Sequence, residues 1–461
     1  MFKSIFKSRL KSENKEINRP KNGKATDVSK SDKNNIFHES IDIVKIRPEL
    51  PDDGKYGFVG KLMDTLSKGT EAIPAFIGAE FLSLLSVSIH RGNIYTSFAA
   101  SKTVPRVNSL QIAKTGEGKG FSSSQMSALK EKVSAIDKEL LPPEHLGGVS
   151  TTEGIVNEIR DDIEDANGEI IKGVQDKRLF ILEEEFANVF KKVRKNDSTL
   201  SATIRTLFDG KKLEPLIKYN KIGCERPHVV FLGHMTPEEL SCEIKSVDIA
   251  NGFMNRFPIF RGMKQPDIPF PEVTTEKELN ELATSFVEIL KWCNSKEQKL
   301  EYSTCYKNLW EKEYSRLRNL GAEETLERSL MTRAAHYASM YAMLFAVTDK
   351  VKVVTSEHLK AALAWIDYWH QSVRYIYNTE LDAIESQKQK EIAKEVYLAI
   401  KRLVNENSGK PIGKTPLTKA FSGRYTSKEI SDALKYMQEL SEPPIKVTLL
   451  PRNKHEIYLL K

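Results

Sequence analysis

Two stretches constrain this chain more than any others: residues 111–124, QIAKTGEGKGFSSS, and residues 178–186, RLFILEEEF. In the first, Gly116, Gly118 and Gly120 surround Lys119, so the backbone carries few Cβ atoms to keep its N–H groups from converging on an anion. Lys119 adds a compact positive charge of the kind that reaches the β- and γ-phosphates of a nucleotide. The apolar residues 109–113 ahead of the turn predict a strand, and residues 121–130 behind it predict a helix whose N-terminus faces the anion.

Strand, glycine turn and helix is the order that a P-loop needs, with Thr115, Gly116, Gly118, Lys119 and Gly120 as its phosphate-binding residues. The fit to G-x-x-x-x-G-K-[ST] is incomplete, because Ala113 holds the first glycine position and Gly120 stands where a hydroxyl residue belongs. A magnesium ligand then falls to Ser122 or Ser123. A polar glycine turn without a ligand is the competing reading.

The second stretch adds an apolar run, residues 179–182, of the length of a buried parallel strand, and it ends in Glu183, Glu184 and Glu185. Three acids have little reason to follow a core strand unless a cation waits there. By position Glu183 is the metal-side acid and Glu184 the base that orients an attacking water, with Glu185 a substitute for either. A solvated helix start, its acids favoured by the dipole, is the alternative. Glu153, shortly after Ser150 and Thr151, is a second candidate base or simply an acid at a helix N-terminus.

Further along, residues 229–232 predict another buried strand, ending in His234 and Thr236. Polar groups at the carboxyl end of a parallel strand lie where open α/β sheets bind ligands, so His234 is a candidate γ-phosphate sensor; Thr236, before Pro237, reads more simply as a helix cap. Arg256 follows a glycine-containing turn between apolar groups, where an always-charged side chain needs a partner. A neighbouring subunit's γ-phosphate would supply one and make Arg256 an arginine finger. Arg333, on a buried helical face, either contacts the nucleotide or forms an interhelical ion pair.

At 461 residues the chain exceeds one ordinary core and predicts several domains. Residues 1–40, rich in Lys, Asn, Ser and Asp, predict a disordered basic tail. Residues 41–272 predict the ATPase core with a helical lead-in, closed by a linker containing Pro266, Pro269 and Pro271. A helical domain over 273–388 follows. Residues 389–461 read as three helices and two strands, a winged helix that would present Lys428 and Lys435 of its third helix, and Arg452 and Lys454 of its wing, to DNA. Such modules also serve protein contacts.

The net charge of +7 is unevenly placed: residues 1–35 carry about +6 and residues 391–461 about +5, leaving the middle slightly acidic. Basic ends suit a nucleic-acid-handling protein, although a lysine-rich tail accounts for the first of them equally well. Cys224, Cys242, Cys293 and Cys305 show no C-x-x-C pair or zinc spacing, which argues against a structural zinc or a disulfide framework. The most apolar run, residues 73–89, contains Glu80 and reads as a core helix; with no signal-peptide pattern at the N-terminus, a cytoplasmic location is expected.

Taken in order, TGEGKGFS, GVSTTEGI, RLFILEEEFANVFKK, LSATIRTLFDGKKLE, GHMTPEELSCEI, ANGFMNRF and RAAHYASMYAMLFAVTD resemble the P-loop ATPases of phages, plasmids and integrated elements that accompany or are fused to primases. The resemblance covers roughly residues 56–377. It implies an α/β P-loop NTPase core with a RecA-like or AAA+-type parallel sheet, ATP and Mg²⁺ as cofactors, and helicase or translocase work on DNA during replication of a mobile element. It also implies a homo-oligomeric ring, six subunits being the expected count, and a primase or polymerase partner. Within it Lys119 would bind phosphate, the acids from Glu183 to Glu185 would serve metal and water, Ser122 would stand in register for the metal, and Arg256 would complete the site. Phe121 replaces a small hydroxyl residue, and no primase polymerase motif is present. Two other functions fit the same residues: a replication initiator or loader that uses ATP as a switch, and a non-hydrolysing structural ring or defence factor, which Ala113 and Gly120 favour.

Overall fold

The longest buried strands have no polar face, and that property decides the architecture, because a strand apolar on both sides must be covered on both sides. The computed structural model describes residues 47–461 apart from 99–100, 165–167, 215–221, 244–250, 378–380, 422, 441–442, 452–453 and 461. The tail expected over 1–40 lies outside the described residues.

Helix α1 (Gly57–Ser67) buries Val59, Leu62, Met63 and Leu66, the stripe that a 3.6-residue period brings to one side. Helix α2 (Pro74–Ser88) begins with proline at its first turn and is buried nearly all round, Glu80 included. Strand β1 (Ser109–Ile112) leads through the glycine turn into α3 (Lys119–Ile136). Then come β2 (Glu144–Leu146), α4 (Thr152–Asn157), β3 (Arg178–Glu183), α5 (Ala187–Val193), α6 (Leu200–Phe208), β4 (His228–Met235), α7 (Pro237–Glu243) and β5 (Ile259–Arg261).

These five strands form one parallel sheet in the order β2-β3-β4-β1-β5, with helices flanking it; the fold is α/β. Every residue of β3 and of β4 is buried. Because all strands run the same way, Ile112, Glu183, Met235 and Arg261 end at one edge, and the register sets Gln111 beside His234 and Ile112 beside Arg261.

The helices that follow, α8 (Glu276–Asn294), α9 (Thr304–Arg318), α10 (Ala334–Thr348) and α11 (Ser356–Tyr375), do not make a core of their own. One continuous apolar cluster runs from Val59 to Ile376. Phe260 of β5 stacks on Tyr368 of α11 at 5.4 Å between ring centroids, and Phe81 of α2 meets Phe286 of α8 edge to face. The boundary expected near residue 272 is therefore a bend in the chain rather than the limit of a core.

A second apolar cluster begins at Ile392. Helix α12 (Leu381–Glu406), strand β6 (Ile412–Gly413), α13 (Lys414–Ala420), α14 (Ser427–Gln438), β7 (Ile445–Leu450) and β8 (Lys454–Leu459) enclose Val396, Ile400, Leu417, Ile430 and Ile457. The strands pair antiparallel in the order β6-β8-β7. No described helix is long and apolar enough to cross a membrane.

Candidate functional site

The turn after β1 requires its glycines in two different ways. Gly116 and Gly118 have φ of 80° and 94°, the left-handed region that other residues enter at a cost. A Cβ on Gly118 would also sit 2.3 Å from the Glu71 carbonyl oxygen, whereas one on Gly120 would meet nothing within 4 Å. Gly118 caps α3, so the unbonded N–H groups of that helix's first turn open toward the carboxyl edge of the sheet. Thr115 and Gly116 are exposed there.

Lys119 folds back across the strand ends, its Nζ donating to the carbonyls of Ala113 at 2.7 Å and Met235 at 3.2 Å. Burial pulls its pKa down, and the carboxylates of Glu239 and Glu117 partly oppose that shift. An ammonium hydrogen-bonded to neutral carbonyls is free to exchange them for a phosphate.

Two residues that the motif did not single out complete this side. Glu117, inside the glycine turn, accepts the Lys114 N–H at 2.7 Å and the Arg261 Nη1 at 2.9 Å. Arg261 closes β5, is 1% exposed and also donates to the Gly262 carbonyl. The signal was legible: an arginine ends the apolar run Pro258-Ile259-Phe260 immediately before Gly262, where a Cβ would lie 2.4 Å from the Phe76 ring.

Glu183 ends β3, 3% exposed, and its Oε1 accepts the Val149 N–H at 2.5 Å. Burial raises its pKa, opposed by the Val149 and Gly148 amides. Glu184 and Glu185 are exposed just beyond, and Glu185 accepts a bond from Asn188. The three acids line a cavity of about 580 Å³ with Gly148, Ser150 and Lys192. Strand β4 separates β3 from β1, so the strand that ends in the acids and the strand that leads into the glycine turn lie about 10 Å apart, two strand spacings.

His234 lies between them on β4, 3% exposed, with Nε2 buried and unpartnered. Burial first, and the Lys119 charge second, lower its pKa to about 4, so the ring is neutral at physiological pH. Its neighbour in register, Gln111, gives its amide N–H to the Phe76 carbonyl at 2.9 Å and leaves Oε1 buried without a partner. Both atoms retain unused hydrogen-bonding capacity.

The other candidates have these surroundings. Ser122 is fully buried, donates to the Gly118 carbonyl at 3.1 Å and accepts the Ile73 N–H at 2.9 Å, so its hydroxyl is engaged within the fold. Its hydroxyl ties α3 to the start of α2. Ser123, one residue on, has a buried hydroxyl without a partner.

Arg256 already has its partner within the chain. It is 8% exposed, its Nη2 lies 3.2 Å from the Asp209 carboxylate and its Nη1 donates to the Gly252 carbonyl, so the reason for giving it to a neighbouring subunit disappears. Arg333 shares Asp209 at 3.8 Å and bonds Asn255, and both guanidinium groups lie over the Phe208 ring. The Arg256 carbonyl accepts bonds from Asn108 and Tyr337, which places the cluster at the amino end of β1. Neither arginine is brought to the glycine turn, which lies a strand length away, about 13 Å.

Glu153 is exposed in the first turn of α4, where Thr151 caps the helix by accepting the Gly154 N–H at 3.0 Å, and it does not line the acidic cavity. Thr236 caps α7 reciprocally with Glu239. Lys428 and Lys435 are exposed on α14. Lys454 opens β8 opposite Leu450, and Arg452 lies outside the described residues.

No group of three or more His, Cys, Asp or Glu side chains able to hold a metal occurs among the described residues. Mg²⁺ does not need one, since it commonly uses one or two carboxylates together with substrate phosphates and water. No protein-family model matches the sequence, and no curated protein matches it.

Proposed function

We propose that this chain is a P-loop ATPase that couples Mg²⁺-ATP turnover to DNA, acting as a helicase or translocase in replication of a mobile genetic element. One observation carries the reading: Lys119, at the glycine-capped start of α3, shares the carboxyl edge of a parallel sheet with the acids ending β3, while the neutral His234 on β4 lies between them. The lateral spacing of about 10 Å between β1 and β3 leaves room for a triphosphate lying across strand ends with its metal toward the acids.

Bound magnesium would neutralise developing charge on the phosphates. The chain's own residues do the rest. The Gly116–Gly118 turn and the first amides of α3 cradle the phosphates, and Lys119 exchanges its two carbonyl partners for phosphate oxygens. Glu183, steadied by the Val149 amide, faces the metal side, and the exposed Glu184 orients the attacking water. His234 can offer a neutral N–H to the terminal phosphate at its Nε2. Arg261 fixes the turn through Glu117.

The C-terminal unit is the proposed winged helix, with Lys428 and Lys435 of α14 and the β7–β8 hairpin toward DNA. Assembly into a ring and a primase or polymerase partner belong to the same proposal. A slow switch or a non-hydrolysing ring is the second reading, favoured by Gly120 where a metal-binding hydroxyl would stand and by the committed hydroxyl of Ser122. Nucleotide turnover measured alone, with single-stranded DNA and with duplex separates them: DNA-stimulated turnover supports the motor, and binding without turnover supports the second reading.

A further inference from the structure

The opposite edge of the same sheet opens into a cavity of about 830 Å³, within the range of ligand sites. Its walls are the segments following α2 and α3 and the first residues of β3 and β4. Arg91, Lys138, Lys177, Arg178 and Arg226 line it, against Glu139 and Asp176.

Two of those cations are spent on the fold. Arg178, 4% exposed, pairs with Asp176 and donates to the carbonyls of Ser88 at the end of α2 and of Glu139 and Leu140 in the turn beyond α3. Lys177 pairs with Asp161 at 2.8 Å. Arg91, Lys138 and Arg226 have no ion pair among the described residues. Arg91 gives Nη2 to the Gly210 carbonyl, while its Nη1 is buried and unpartnered.

Arg226 lies close to Arg91, its Nη2 3.7 Å from where a Cβ on Gly92 would be. Burial first, and the neighbouring Arg226 charge second, lower the Arg91 pKa. Glu297 feels Arg226 but is bonded to Lys102. A buried unused guanidinium donor that feels a second arginine's charge is costly without an anion, and a phosphate with several acceptor oxygens matches the planar fork of an arginine.

We propose that this amino-edge cavity binds phosphate groups through Arg91, Arg226 and Lys138, taking either the phosphodiesters of a nucleic-acid strand or free phosphate. The proposal does not rest on the nucleotide reading, because the two sites occupy opposite ends of β3 and β4. Nor does it use the C-terminal unit.

The test uses the full chain carrying Arg226→Glu and Lys138→Glu, both at exposed positions, with Arg226→Gln and Lys138→Gln as a milder pair should the first unsettle the fold. One arm follows thermal stabilisation by inorganic phosphate. The other follows the anisotropy of a labelled single-stranded oligonucleotide across a salt series.

In whichever arm wild-type protein binds, the variant should lose at least tenfold in affinity. In the oligonucleotide arm its salt slope should also fall by about 1 to 2, the count of phosphate contacts removed. A response to phosphate alone assigns the free ion, and tight oligonucleotide binding that phosphate displaces poorly assigns the strand. Absence of binding in both arms, or equal affinity and slope in the variant, overturns the site.

Discussion

Arg256 and Arg261 bracket the same short strand, both buried and each paired with a carboxylate, and yet they belong to different machinery. Arg256 precedes β5 at the amino edge, where Asp209 and the Gly252 carbonyl hold it and Arg333 crowds the same acid. Arg261 ends β5 at the carboxyl edge, where it pairs with Glu117 of the glycine turn. A buried guanidinium always needs a partner, so the need alone does not mark function. The partner's place does: one acid braces the end of α6, the other braces the turn that would cradle phosphate.

The largest effect expected at the carboxyl edge comes from Lys119→Ala, which should cut nucleotide turnover by at least about a hundredfold, the usual cost of removing one donor from developing charge. Its melting temperature should barely move, since Lys119 is partly exposed and bonded only to two carbonyls. Turnover that survives would erase the contrast between the two edges. Glu184→Gln should lower turnover by roughly a hundredfold while nucleotide still binds, as expected for loss of a group that orients water. If Glu153→Gln shows that phenotype instead, the base lies on α4.

Arg261→Lys and Arg256→Lys sharpen the comparison directly. Each keeps the charge and loses the planar fork, so both should melt earlier. Only Arg261→Lys should weaken nucleotide binding, by about tenfold, the equivalent of one charge-assisted hydrogen bond. A matching loss in Arg256→Lys would return that residue to the site. The smallest effect is a gain: Gly120→Ser meets nothing within 4 Å and restores a hydroxyl after the lysine, so magnesium-dependent turnover should rise a few-fold, on the scale of one neutral hydrogen bond.

Much of this was legible in residues alone. The strand at 109–112, the turn and the helix from Lys119 follow from glycine spacing and apolar flanks, and β3 follows from a run of apolar residues closed by acids. The C-terminal helices and the strand Ile445–Leu450 were equally readable, whereas β6 is only two residues long and carries no alternation to read. What local pattern could not supply was direction across the sheet. Ser122 looked available because it is polar and follows the turn, but α3 rotates it into the Ile73 amide. Arg333 reads on its own helix as either a nucleotide contact or an interhelical ion pair, and only the packing of α10 beside Asn255 and Asp209 shows which edge it serves. The helical segment looked separate because a proline-rich bend precedes it, yet Phe260 and Tyr368 join the two through one core.

The central claim is positional, and hydrogen–deuterium exchange of the full chain with and without a non-hydrolysable ATP analogue and Mg²⁺ tests it most directly. Slower exchange should appear at residues 114–120, 147–150 and 233–235 and around Arg261, with residues 251–257 and 331–335 unchanged. Protection confined to the Arg256 and Arg333 segments, or none at the glycine turn under saturating analogue, would contradict it.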